Sequence, residues 1–169
     1  MQKECATMFI ACIRQDLFSD RNYFKIITKS IHIVNEALSL PEHDEQVEPW
    51  VEVLGNVCTR VPFEDQEREL VPFFQELLNN TSPIEHRKVG NKILFCVCQN
   101  IGEKGLDKCP SYVKLMRAVF IEGNYKLRRD GIIFLQNYFK NNNLAELTES
   151  DRYENVYLPE LLGYLEDED

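Results

Sequence analysis

His86–Phe95 reads HRKVGNKILF, and Leu127–Gln136, 41 residues on, reads LRRDGIIFLQ. Aligned, Arg87-Lys88 falls on Arg128-Arg129, Gly90 on Gly131, and Ile93 and Leu94 on Phe134 and Leu135. A second pair shares the spacing. Val71–Asn80 (VPFFQELLNN) and Leu158–Asp167 (LPELLGYLED) lie 87 residues apart, two periods of about 43. There Pro72 falls on Pro159, Phe74 on Leu161 and Leu78 on Leu165. Two alignments that give one period predict a chain of repeated two-helix units.

The rest of the chain is patterned to match. Apolar residues recur at helical spacing in Cys5–Phe18, Tyr23–Leu38, Val47–Val61, Glu67–Leu78, Ile84–Ile101, Ser111–Ile121, Tyr125–Phe139 and a last run around Val156–Leu165. No sustained period-two run or hairpin signal predicts a sheet. The breaks are short and polar: FSDRN, SLPEHDE, PFED, NNTSP, GEKGLDKCP, EGN and KNNN followed by TESD. Asp20, Asp44, Asp65, Ser82 and Asn124 are candidate helix caps, with Ser150 or Asp151 before the last helix. The expected fold is all-α, about eight antiparallel helices joined by turns of about 3–9 residues.

Each unit has a mechanical reading. The first helix begins near a proline, which a first turn tolerates. The second opens on Arg87 or Arg128, placed to pair with acceptors at the end of the first; Glu122 lies six residues before Arg128. Gly90 and Gly131 permit close helix approach. The second helices are apolar around much of their circumference, which suits a helix covered on both sides by a stack.

This pattern of proline, apolar pairs, polar turn, basic residue, small residue and apolar run resembles the HEAT-repeat family. Between Val51 and Phe139, and again from Leu158, it looks most like the repeats of regulatory and scaffold subunits of type 2A and type 4 protein phosphatases. The shared features are the LVPFF-like first helix, the basic opening of the second and Ile101-Gly102 at its end. The chain departs from the family where Asn79 and Asn80 replace a common aspartate. The valine-arginine pair becomes His86-Arg87 and Leu127-Arg128. The resemblance implies a right-handed α-α superhelix, a HEAT/armadillo-like solenoid over 1–169. Counting by role, the chain begins on a second helix and ends on a first, so it reads as a segment of a longer solenoid with half-repeats at both ends. The acidic end of YLPELLGYLEDED is then the turn of an interrupted hairpin or a charged cap.

Composition narrows the function. The chain of 169 residues is 44% hydrophobic and 28% charged, as in a folded domain. No apolar run approaches the roughly 18 residues that span a bilayer, and the N-terminus lacks the signature of a secretory signal. An intracellular, cytoplasmic or nuclear protein is expected, with its six cysteines reduced. A net charge of −9 argues against a general nucleic-acid binder. Residues 149–169 are acid-rich, whereas Lys114–Arg129 is base-rich.

Catalysis finds no support. No phosphate loop, HExxH or nucleophile elbow occurs. His32 reads as a helix-surface or partly buried structural residue and His86 as a surface one, His43 sits in an acidic connection, and Cys96 and Cys98, two apart on a helix with no His near them in sequence, do not face each other as a metal clip would. The expectation is no enzyme, no cofactor and no metal.

Binding fits better. In phosphatase scaffolds of this family the turns inside each repeat contact partner subunits. The resemblance carries this to the turns Ser39–Glu45, Asn79–Ile84 and Ile121–Tyr125, with Glu42, Asp44, Asn79, Asn80, Glu122 and Asn124 as contact candidates. Arg87, Lys88, Lys92, Lys126, Arg128 and Arg129 form a second candidate surface for an acidic or phosphorylated peptide, in competition with pairing inside the chain. The expected protein is a non-catalytic scaffold whose partner is a phosphatase catalytic subunit or such a peptide. The alternative is a HEAT module of a chromosome-associated, nuclear-transport or translation-factor complex.

Overall fold

The computed structural model describes residues 2–40, 43–122, 124–142, 145, 147, 149 and 152–166. Every regular element among them is helical, as the periodicity predicts, and none is a strand. The helices are α1 (Gln2–Arg14), α2 (Asp20–Leu38), α3 (His43–Val57), α4 (Phe63–Leu77), α5 (Ile84–Lys108), α6 (Pro110–Phe120) and α7 (Tyr125–Asn141). A short π-helix, Tyr153–Tyr157, runs directly into α8 (Leu158–Glu166).

Packing follows chain order in two ways. α2 packs on α3, α4 on α5 and α6 on α7, so successive helices form hairpins. α1, α3, α5 and α7 also pack one on the next, and so do α2, α4 and α6. The middle of α5 is therefore covered from several directions: Val89, Ile93, Leu94, Phe95, Val97 and Cys98 are all buried.

Local chemistry sets the helix ends. α1 stops earlier than its apolar stripe suggests. Asp16 adopts a left-handed conformation (φ 55°). Its N–H donates to the Ile13 carbonyl (3.1 Å) and the next N–H, of Leu17, to the Cys12 carbonyl (3.0 Å). This is a Schellman ending. The Asp16 carboxylate accepts from the Tyr23 hydroxyl at 2.6 Å, which ties the turn to α2. Leu17, expected on the buried stripe, lies past this ending and is exposed.

Two other expectations shift. Pro72 does not open a helix; α4 begins at Phe63 behind Pro62, and Pro72 lies in its interior. Asp20 and Asp65 stand in first turns beside the positive helix end, with Ser19 and Pro62 in the cap positions. Asn124 does cap α7, accepting from the Lys126 N–H at 3.0 Å. Ser82 donates to the Glu76 carbonyl instead of capping α5. Ser150 and Asp151 lie outside the described residues, as do residues 167–169 of the acidic end. Before them, Leu162 of α8 is exposed and Leu161 half-buried.

The predicted end at Ile101-Gly102 is a sharp kink inside α5. Gly102 has φ 64° and ψ −175°, a region open essentially to glycine alone. The helical path resumes to Lys108 and turns at Cys109 into α6. Pro159 also lacks an N–H for the α pattern. The π-helix precedes it: the Leu158 N–H reaches back five residues to the Tyr153 carbonyl.

Close approach and buried polarity fix the helices against each other. A Cβ on Gly90 would stand 2.8 Å from Leu78 Cδ2, which is the close α4–α5 contact predicted for this glycine. Gly55 does the same between α3 and Cys96 of α5. Gln66 is fully buried on α4. Its amide donates to the carbonyls of Cys58 and Val61, both at 2.8 Å, and its oxygen accepts from the Tyr112 hydroxyl at 3.1 Å. One side chain thus satisfies the end of α3 and links α4 to α6.

Candidate protein-interaction surface

The turns after α2, α4 and α6 are the loops of the three hairpins. Asn79 folds onto its own turn: its side-chain oxygen accepts from the Thr81 N–H (3.0 Å) and hydroxyl (2.9 Å). Asn80 accepts from Arg87 at 3.3 Å. Arg87 is 8% exposed and forms an ion pair with Glu122 of the next hairpin. The other Glu122 oxygen accepts from the Asn124 N–H at 3.1 Å, and Arg128 donates to the Glu122 carbonyl at 3.4 Å. Five of the predicted residues, Asn80, Arg87, Glu122, Asn124 and Arg128, therefore meet in one clasp between the second and third hairpin turns. Arg128 pairs with the end of its own first helix as expected. Arg87 reaches both its own turn and the next one. Glu42 lies outside the described residues. Asp44 belongs to α3, and its side chain lies outside the described set.

The remaining bases divide. Lys88 pairs with Glu85 at 3.2 Å, and Lys92 of α5 with Glu48 of α3 at 3.1 Å. Lys126 and Arg129 are exposed and form no ion pair with a described residue. The basic row is thus largely engaged within the chain.

The turns carry a feature that the choice of polar candidates passed over. Each displays a large apolar side chain to solvent: Leu40 (46% exposed) after α2, Ile84 (41%) after α4, and Ile121 (78%) and Tyr125 (59%) after α6. These residues lay inside the predicted turns. Helical periodicity treats such residues as the edges of buried stripes, so only their exposure separates them from core.

On the side of α1, α3, α5 and α7, a groove of about 470 Å³ runs between α5 and α7 past Lys92, Phe95, Cys96, Asp130 and Phe134. A cleft of about 750 Å³ between α1 and α3 also reaches Cys96. Asn91 is almost fully buried and donates to the Asp130 carboxylate at 3.0 Å, joining α5 to α7. Burial pushes the Asp130 carboxyl above its ordinary range, against the opposing effects of Asn91 and the nearby lysines. No local spacing signalled this pair, because its members lie 39 residues apart.

The C-terminal segment is held by a second polar cluster. Glu103 accepts from the hydroxyls of Tyr138 (2.8 Å) and Tyr157 (2.7 Å) and from Arg152 Nε (2.7 Å). Arg152 also pairs with Asp107 at 2.7 Å. Burial raises the Glu103 carboxyl, but the hydrogen bonds from Tyr157, Tyr138 and Arg152 and the arginine charge outweigh it, so its pKa is lowered. These contacts tie the kinked end of α5 to α7 and the π-helix.

The six cysteines are free thiols. Burial raises the pKa of Cys58 and Cys98 well above the ordinary value, and that of Cys96 and Cys109 to about 11. None of these four is a ready nucleophile near neutral pH. No group of three His, Cys, Asp or Glu side chains among the described residues is arranged to hold a metal ion. No described helix is long and apolar enough to cross a membrane. Comparison with known proteins finds no matching family model, no matching curated protein and no matching solved structure.

Proposed function

We propose that this chain is a non-catalytic protein-interaction module, a HEAT-like α-α superhelix that meets its partner along the turns of its hairpins. The observation that carries the reading is the solvent-exposed apolar residue on each successive turn, Leu40, Ile84 and the pair Ile121 and Tyr125. Packing of alternate helices in chain order supports the superhelical part, because each helix pair then adds to a stack instead of closing a bundle. The clasp from Arg87 to Glu122 gives the turn row a rigid base, so that little ordering entropy opposes binding.

By resemblance, the partner class is the catalytic subunit of a type 2A or type 4 protein phosphatase, in the cytoplasm or nucleus. The chromosome-associated alternative relies on the basic row, where Arg87, Lys88, Lys92 and Arg128 are already engaged. The test is capture of purified phosphatase catalytic subunit by the immobilised chain. Binding by the unaltered chain, and its loss in I121D/Y125D with helicity retained, is the expected result. Absence of binding by the unaltered chain overturns the phosphatase assignment. Binding that ignores both I121D/Y125D and I84D overturns the turn-row assignment.

A further inference from the structure

The row of first helices is open on one side of α2. α2 meets α4 through the face where Phe24 lies beneath the Arg68 guanidinium, 5.2 Å from the ring centre. On the roughly opposite face, Asn22, Ile26, Lys29 and Ile33 recur at three- or four-residue spacing. They line a pocket of about 350 Å³ among α1, α2 and α3, whose aromatic wall is Phe9, Phe18 and Trp50. Phe9 is centred 6.1 Å from Phe18 and 6.3 Å from Trp50. Lys25 and Lys29 also line it, are exposed, and form no ion pair with a described residue.

The stacking period fixes which element fits there. A first helix packs on its own second helix and on the neighbouring first helix, as α4 does on α5 and α6. A first helix one period before α2 would therefore pack on α1, a second helix by position, and on α2. The pocket opens between those two helices, over Trp50 of α3.

The chain carries an element of that kind. α8 is a first helix by position, and among the described residues it packs mainly on the π-helix before it. Pro159, Leu162 and Gly163 are exposed on it, Leu162 at 52%. Charge matches as well. Residues 149–169 hold eight acids and one base, and that base, Arg152, is engaged with Glu103 and Asp107.

We propose that the chain associates with a second copy of itself head to tail, α8 of one copy seating on α1 and α2 of the next. Leu162 enters the aromatic pocket, and the acid-rich segment faces Lys25 and Lys29. α8 and the neighbour's α1 then form between them a further hairpin of the stack. The contact is heterologous, so it builds rings or open chains of copies. This assembly rests on the superhelical reading above and is independent of the phosphatase partner.

Sedimentation velocity of the full chain over a concentration series is the test. The unaltered chain should assemble as its concentration rises. L162D blocks the tail and K25E/K29E the head, all at exposed positions. Each should weaken association at least about tenfold, with circular dichroism confirming folded variants. An equimolar mixture of the two variants brings one intact tail to one intact head and should give a dimer that grows no further. A chain that stays monomeric at every concentration overturns the proposal. So does assembly unchanged by either variant, or a mixture that forms no dimer. Small-angle scattering of the monomer distinguishes the two ways to fail. A radius of gyration near the globular value of about 15 Å overturns the superhelix itself, whereas an extended monomer that does not associate overturns only the docking.

Discussion

Replacing Arg87 by Met tests whether the predicted basic surface is surface at all. The Arg87 side chain is 10% exposed and that of its partner Glu122 is 19% exposed. Methionine keeps much of the apolar stem, so packing changes little. The substitution leaves the Glu122 carboxylate without its cation. Removing one partner of a buried pair costs about 3–5 kcal/mol. Glu122 keeps the Asn124 N–H and some solvent access, which places R87M at or just below the lower end of that range, about 2–3 kcal/mol. E122Q preserves shape but leaves Arg87 with Asn80 as its other side-chain partner, and should cost about 2 kcal/mol. The double variant R87M/E122Q removes both charges together. Its loss should fall short of the sum of the singles by at least about 1.5 kcal/mol. The exposed pair Lys92–Glu48, with side chains 50% and 66% exposed, supplies the internal contrast. Its cycle, K92M with E48Q, should show coupling below about 1 kcal/mol. Urea titrations followed by far-ultraviolet circular dichroism measure all of these. Equal, weak coupling in both cycles would refute the clasp and return Arg87 to the list of residues free for a partner.

The other predictions concern single structural points. G102A should destabilise by about 1–3 kcal/mol although a Cβ there meets nothing within 4 Å, because the cost is backbone conformation alone; an unchanged urea midpoint would show that the kink is not required. Q66L should cost about 3 kcal/mol or more, since it strands two carbonyls and the Tyr112 hydroxyl. Y112F alone should cost only about 1 kcal/mol. The folded-state pKa of Glu103 is lowered, so its contribution is fully present above the unfolded glutamate value of about 4.3 and is lost as pH falls through the folded value. The stability advantage of the unaltered chain over E103Q should therefore shrink on acidification below about pH 4.3; an advantage that grows there would contradict the assigned direction.

Short-range physics carried the reading of the sequence a long way. The helices stand where the apolar spacing puts them, because a residue's face on a helix depends only on neighbours three or four positions away. Asn124 as a cap, Arg128 at the end of its own first helix, Gly90 at a close approach and Gly102 at a break in the helical path all follow from short-range sequence signals. The same reasoning misses by one position at the start of α2, where helical spacing predicts Phe24 on the buried face. The α2 core face includes Tyr23 and Ile26, while Phe24 is only half-buried and stacks beneath the Arg68 guanidinium of α4.

Tertiary structure decided which charges distant in the chain meet. Arg87 and Glu122 are 35 residues apart, Lys92 and Glu48 are 44, and Arg152 and Glu103 are 49. Whether such residues meet depends on the register in which one hairpin sits on the next, which no local pattern encodes. Exposure has the same origin. Ile121 and Ile93 look alike in the sequence, yet Ile121 is 78% exposed on a turn and Ile93 is fully buried in α5. An apolar side chain becomes core only when another helix arrives to cover it, and the stacking of the helices determines where that happens.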